Sequence, residues 1–267
     1  TEGSLQLSYS GSSLQDLAGN PAASFSQIVV SDGYIRGGKV YVDIDGDGIA
    51  DPDELIQGVS SNSRGEVLLE GDALSADVII LGGINTDTGA INELSLTAPT
   101  GYSVVNPLST LVAQVMQKAS SEGEKTVAEA EVLVVSALGL SLTEGDSLSE
   151  YDPLSDDSEA ALGNRIVTAQ IATVLAVATS SATDTEAAAE AQSTALENLA
   201  VLIEDSASTD TDVTLDAETV TALLVNAQGA SLVSVAALEE LKNAVQELKV
   251  ATSIDEVVAV QAAATDA

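Results

Sequence analysis

The chain has no cysteine, no histidine and no tryptophan among its 267 residues. Without cysteine there is no disulfide framework, no thiolate zinc site and no thiol nucleophile. Without histidine the usual catalytic triads, histidine metal sites and imidazole acid–base chemistry are gone as well. Hydrolysis by paired carboxylates stays open, although nothing singles out one pair among so many acids. Positive charge is also scarce: 8 Lys and Arg face 42 Asp and Glu, for a net charge of -34. Such a chain cannot neutralise phosphate, which excludes nucleic acid as a partner and disfavours an anionic membrane surface. Aromatic residues make up only 2% of the chain, Phe25 and five tyrosines. The hydrophobic residues are mostly Ala, Val and Leu, so the expected core is aliphatic and light, yet large enough for more than one domain. No run reaches the roughly 18 uninterrupted apolar residues of a membrane span, and no basic, apolar leader opens the chain at Thr1. The chain reads as a soluble excerpt of something longer.

What is abundant is aspartate with glycine, and it is patterned. Asp43-Ile44-Asp45-Gly46-Asp47-Gly48-Ile49-Ala50-Asp51-Pro52-Asp53-Glu54 fits a twelve-residue calcium loop at every ligand position. In such a loop, positions 1, 3 and 5 give one oxygen each, position 7 a backbone carbonyl, position 9 a direct or water-bridged ligand, and position 12 a bidentate carboxylate. Those positions are Asp43, Asp45, Asp47, Ile49, Asp51 and Glu54. Gly48 falls at position 6, where the chain turns through a conformation that most side chains forbid. Turns favour Asp and Gly on their own account, but six ligands and a glycine in register exceed what composition supplies, and the carboxylates repel one another without a cation. Two features depart from a helix-loop-helix hand: Gly38 to Val42 reads as a strand, and position 8 is the small Ala50. A lone loop closing a strand follows, not a sensor that opens a groove. An acidic, cysteine-free chain with a weak calcium site suits the outside of the cell, where calcium is abundant.

The remaining pattern divides the chain at about residues 30 and 100. Ser4 to Tyr9 and Ala23 to Val30 read as strands around a turn at Asp16 to Pro21. Lys39 to Asp43, Gly65 to Leu69, Asp77 to Leu81 and Leu94 to Ala98 read as strands of a small sandwich. After Thr100 the period becomes 3.6. Asn106-Pro107 opens a helix whose apolar face is Leu108, Leu111, Val112, Val115 and Met116. Further helices fit Val127 to Leu138, Glu159 to Thr179, Asp184 to Ile203, Ala217 to Ala227, Val235 to Ala251 and Ile254 to Ala264, about seven in all. Capping boxes fit Thr126 with Glu129, Thr183 with Glu186 and Ser253 with Glu256. Their abundant Ala reads as helix-forming bundle filler. Asp205 to Asp212 reads as a solvated loop whose Asp205, Asp210 and Asp212 offer a lesser second ion site, and Asp156 with Asp157 as a favourable pair at a helix start. The fold class is therefore α+β in several parts: N-terminal strands (1–30), a calcium-bound β-sandwich (31–100) and an Ala-rich helical bundle (101–267).

Two resemblances add to this reading. Leu14 to Phe25 resembles the final hairpin of bacterial immunoglobulin-like repeats, which makes residues 1–30 the end of such a repeat or strands donated to another module. Asp32-Gly33-Tyr34-Ile35-Arg36-Gly37-Gly38-Lys39-Val40-Tyr41-Val42-Asp43-Ile44-Asp45-Gly46-Asp47-Gly48 resembles a module of giant calcium-dependent, type I secreted (RTX-type) bacterial adhesins. The likeness continues through Gly82 to Gly89, Leu96 to Pro99, Val105 to Val112 and Tyr151 to Leu154, and covers roughly Ser31 to Val177. It implies a non-enzymatic, extracellular segment at the bacterial cell surface, stiffened by Ca2+ and partnered by neighbouring domains or copies of the same protein. The alternatives are a module binding a glycan or peptide, a self-assembling fibre subunit completed by strand exchange, and a carboxylate hydrolase.

Overall fold

The structure, a computed structural model, describes residues 8–10, 24–119, 125–143, 145–155, 158–209 and 211–265. The hairpin reading over Leu14 to Ala23, the strand over Ser4 to Leu7, the pair Asp156 and Asp157, and Asp210 lie outside those residues. The described architecture is mixed α+β, with seven helices following ten short strands.

The strands are β1 (Ser8–Tyr9), β2 (Phe25–Val30), β3 (Ile35–Arg36), β4 (Lys39–Asp43), β5 (Leu55–Ser60), β6 (Glu66–Glu70), β7 (Asp77–Leu81), β8 (Ile84–Asn85), β9 (Ser95–Ala98) and β10 (Val104–Val105). They form three sheets. In the first, β2 pairs antiparallel with β1 and β6 and parallel with β10. Residues 25–30 are thus paired inside this chain. The second is the two-stranded pair β3–β8, and the third is antiparallel in the order β5-β4-β7-β9. Its centre is apolar because the strands are: Val40, Ile79, Ile80 and Leu96 are fully buried. Gly65 sits where the chain enters β6 at φ +73, and a Cβ there would overlap the Val30 carbonyl oxygen, so this close approach requires glycine.

The helices are α1 (Pro107–Ala119), α2 (Val127–Ala137), α3 (Glu159–Ser180), α4 (Thr185–Thr209), α5 (Ala217–Leu223), α6 (Val235–Lys249) and α7 (Ile254–Thr265). Thr126 and Glu129 form the expected reciprocal capping box. At α4 the cap is Asp184, not Thr183: the Asp184 carboxylate accepts from the Ala187 amide at 2.9 Å. At α7 the Ser253 hydroxyl accepts the Glu256 amide at 3.3 Å as expected, whereas the Glu256 carboxylate accepts the Thr252 amide at 2.7 Å, one residue ahead of the Ser253 amide. Helix α4 runs six residues past Ile203, so Asp205 lies on a helix and not in a solvated loop. Helix α5 stops at Leu223 because the chain turns back at Asn226 to Gly229 and bridges Val225 with Ser231.

Helix α3 is the central element. It is long and apolar enough to cross a membrane, but 67% of its apolar window is buried inside the protein. Its polar residues are satisfied there, with Asn164 bonded to both backbone groups of Ser141 and Gln170 donating to the Val245 carbonyl. One hydrophobic core runs from Ile28, Val40, Ile80 and Leu96 of the sheets through Leu108, Leu111 and Val115 of α1 to Leu175, Leu199 and Leu223 of the bundle. The change from strands to helices comes after β10, at Pro107, and the core continues across it.

Candidate metal site

Strand β4 delivers Asp43 to the mouth of a loop that returns to the sheet as β5. Asp43 is buried, whereas Asp45 and Asp47 are exposed. One carboxylate oxygen from each of the three lies within 4.8 Å of the others, the only such group of metal-ligating side chains among the described residues. Two unit charges at that separation repel by about 1 kcal/mol in bulk water and about 3.5 kcal/mol at an effective dielectric of 20. The backbone offsets part of this. The Gly46 and Gly48 amides donate to the two Asp43 oxygens at 2.8 and 2.9 Å, Asp47 N donates to Asp45 at 3.3 Å, and Ile49 N donates to Asp47 at 2.8 Å.

The other three expected ligands are placed differently. Glu54 is buried, and its carboxylate folds back across the loop to accept the amides of Ile44 at 2.6 Å and Asp51 at 3.2 Å. It thereby clamps the two ends of the loop together. Asp51 is half-buried and its carbonyl accepts the Glu54 amide at 3.1 Å. Neither belongs to the compact group of three. Ile49, expected to offer only its carbonyl, exposes its side chain.

The charges are one-sided. Burial, then the nearby Glu54 and Asp47, pushes the Asp43 carboxyl above its usual range against the pull of the two glycine amides. Asp51 is raised by its partial burial and then by Asp47, Asp53, Glu54 and Asp45. None of the four ion pairs among the described residues reaches the loop, and Arg36, Lys39 and Arg64 are exposed. A hard cation with oxygen ligands fits this donor set of carboxylates and carbonyl; a soft metal does not.

Spacing alone did not reveal the neighbour behind the loop. Gln117 of α1 places its side-chain amide against Gly48, with Nε2 2.5 Å from where a Cβ would stand. Gly48 has φ +76, so position 6 needs glycine for its backbone, and any side chain there would also displace the Gln117 amide.

A second charged cluster lies between sheets and helices. Arg165 of α3 pairs with Asp87 at 2.8 Å, Tyr34 donates to Asp152 at 3.1 Å, and Gln261 of α7 donates to Asp32 at 3.5 Å. Burial pushes Asp32 up to about 6 against the pull of Gln261 and Arg165. Of the proposed second ion site, Asp205 and Asp212 join no group of metal-ligating side chains among the described residues. The aromatic contact recorded among these residues is Tyr9 with Phe25, at 6.1 Å between ring centroids. Comparison with family models, with curated proteins and with solved structures finds no match to this chain.

Proposed function

We propose that the chain is a non-catalytic, extracellular segment of a bacterial surface adhesin, stiffened by one calcium ion in the loop from Asp43 to Glu54. The observation that carries this reading is the folded loop itself: three carboxylates converge, glycines turn the chain at positions 4 and 6, and no ion pair among the described residues reaches them. Strands of both four-stranded sheets contribute to one core together with the helices. The role of the ion is structural. By joining Asp43, Asp45, Asp47, the Ile49 carbonyl, Asp51 and Glu54 it removes their mutual repulsion and fixes the β4–β5 connection. A shell filled by protein oxygens leaves no open position for chemistry. The adhesin reading rests on the sequence likeness over Ser31 to Val177, and its partners are neighbouring domains or copies of the same protein.

Amide hydrogen exchange in millimolar calcium and in chelator tests the structural role. Residues 43–54, with the adjoining ends of β4 and β5, should gain protection in calcium. Equal exchange in both buffers would remove the ion from the account.

A further inference from the structure

The geometry points to Gln117 as a positioning residue for the calcium loop, coupling the occupancy of that loop to helix α1. The inference rests on the calcium reading above and adds the route by which the ion acts on the rest of the molecule.

The loop begins at the end of β4, which pairs with β7, which pairs with β9. Helix α1 is stitched to β9: the Thr97 amide donates to Thr110 Oγ1 at 2.9 Å, and Ser109 Oγ donates to the Thr97 carbonyl at 2.7 Å. Leu108, Leu111, Val112 and Val115 seat the same helix in the core at no more than 1% exposure. Asp43 and α1 are therefore held on one hydrogen-bonded frame. The loop between Ile44 and Ala50 is not part of that frame, since it has no ladder of its own.

Gln117 lies seven residues, about two turns, beyond Thr110 and on the same face of α1. From there its amide reaches the middle of the loop, with Nε2 2.5 Å and Oε1 3.3 Å from the Cβ position of Gly48. Gly48 is the hub of the ligand set. Its amide donates to Asp43 Oδ2 at 2.9 Å, the preceding residue is the ligand Asp47, and the following residue carries the position 7 carbonyl. Although Gln117 is exposed, contact of its amide with Gly48 narrows how far positions 1, 5 and 7 drift apart in the ion-free state, and so lowers the ordering cost of binding. The neutral amide does this without adding a charge to the cluster. Coupling of this kind is reciprocal: if Gln117 favours the closed loop, calcium must favour the seated Gln117 and steady the end of α1.

The test is a double-variant cycle on the full chain, with calcium affinity measured by calorimetry for wild type, Gln117→Ala, Gly48→Ala and the pair. Gln117→Ala should weaken calcium roughly tenfold, the scale on which the loss of a group supporting the ligands is felt. Gly48→Ala should weaken it further, because its φ is positive and its Cβ meets the amide. The loss from Gly48→Ala should be smaller when Gln117 is already Ala, since only the backbone strain is then left. In wild type, calcium should also slow amide exchange over residues 113–119. Calcium uptake by Gln117→Ala at the wild-type affinity, strictly additive variants, or unchanged exchange in α1 would overturn this inference while leaving the loop as a calcium site. Absence of uptake by wild type would overturn both.

Discussion

Asp53 and Glu54 are adjacent acids with opposite settings, and the difference is chemical, not a matter of charge. Glu54 is buried and closes the loop through two backbone amides, while Asp53 is exposed and occupies position 11, outside the ligand set. Glu54→Gln should therefore reduce calcium affinity at least tenfold, about 1.4 kcal/mol, whereas Asp53→Asn should leave it nearly unchanged. Equal losses in calorimetry would place the register elsewhere. A second residue, Asp32, contributes to pH dependence away from the loop. Its folded-state carboxyl titrates at about 6 against an ordinary 3.8, so the folded state holds that proton more tightly than the unfolded chain. Its stabilising contribution is complete below about 3.8 and is lost as pH rises through about 6, by at most about 3 kcal/mol. Asp32→Asn should flatten melting temperature against pH in that window and raise it at pH 7; an unchanged profile would exonerate the residue. Residues of the first kind are legible in sequence because the loop is local and its spacing is the signal. Gln117 and Asp32 are not, since Gln117 is set by Gly48, 69 residues away, and Asp32 by burial among distant elements, with Gln261 of α7 lying 229 residues on.

Elements follow the same division. The expected helices are present because their signals are local, as with Thr126 and Glu129, whose reciprocal bonds satisfy two otherwise open amides at the start of α2. Thr126→Ala should cost about 1 kcal/mol, seen as faster exchange in the first turn of α2 and a melting temperature lower by about 2 to 4 °C. No change would mean that tertiary packing alone holds that end. Boundaries set by distant contacts escaped the pattern. Strand β10 is two residues long and exists because Val104 and Val105 pair in parallel with Val29 and Val30, a partnership with no turn signal between them. Strand β5 carries Gly58 and has only two half-buried residues before it, so it lacks the alternation by which its neighbours β4 and β7 are recognised. Helix α4 outran its expected end because nothing in Glu204 to Thr209 breaks a helix, although acids and hydroxyls there read as a loop.

At the scale of the molecule, a single hydrophobic cluster joins sheets and bundle, so folding should be cooperative across residue 100. A small separate cluster of Ala169, Leu248 and Val257 ties α7 to α3 and α6. Unfolding should be one transition by both far-ultraviolet and near-ultraviolet circular dichroism, with calcium moving the whole of it. With a dissociation constant of about 10⁻⁴ M, 10 mM calcium should stabilise the chain by about 2.7 kcal/mol and raise the melting temperature by roughly 5 to 10 °C. Two separate transitions, only the first responding to calcium, would show that the helices fold independently of the site.

Calcium binding by the loop from Asp43 to Glu54 underlies every role assigned above, and titration calorimetry of the intact chain measures it. One ion should bind per chain with a dissociation constant of about 10⁻⁴ M, and that uptake should be lost when Asp43, Asp45 and Asp47 are together replaced by Asn. No heat of binding at millimolar calcium, or uptake that survives the triple replacement, would contradict it.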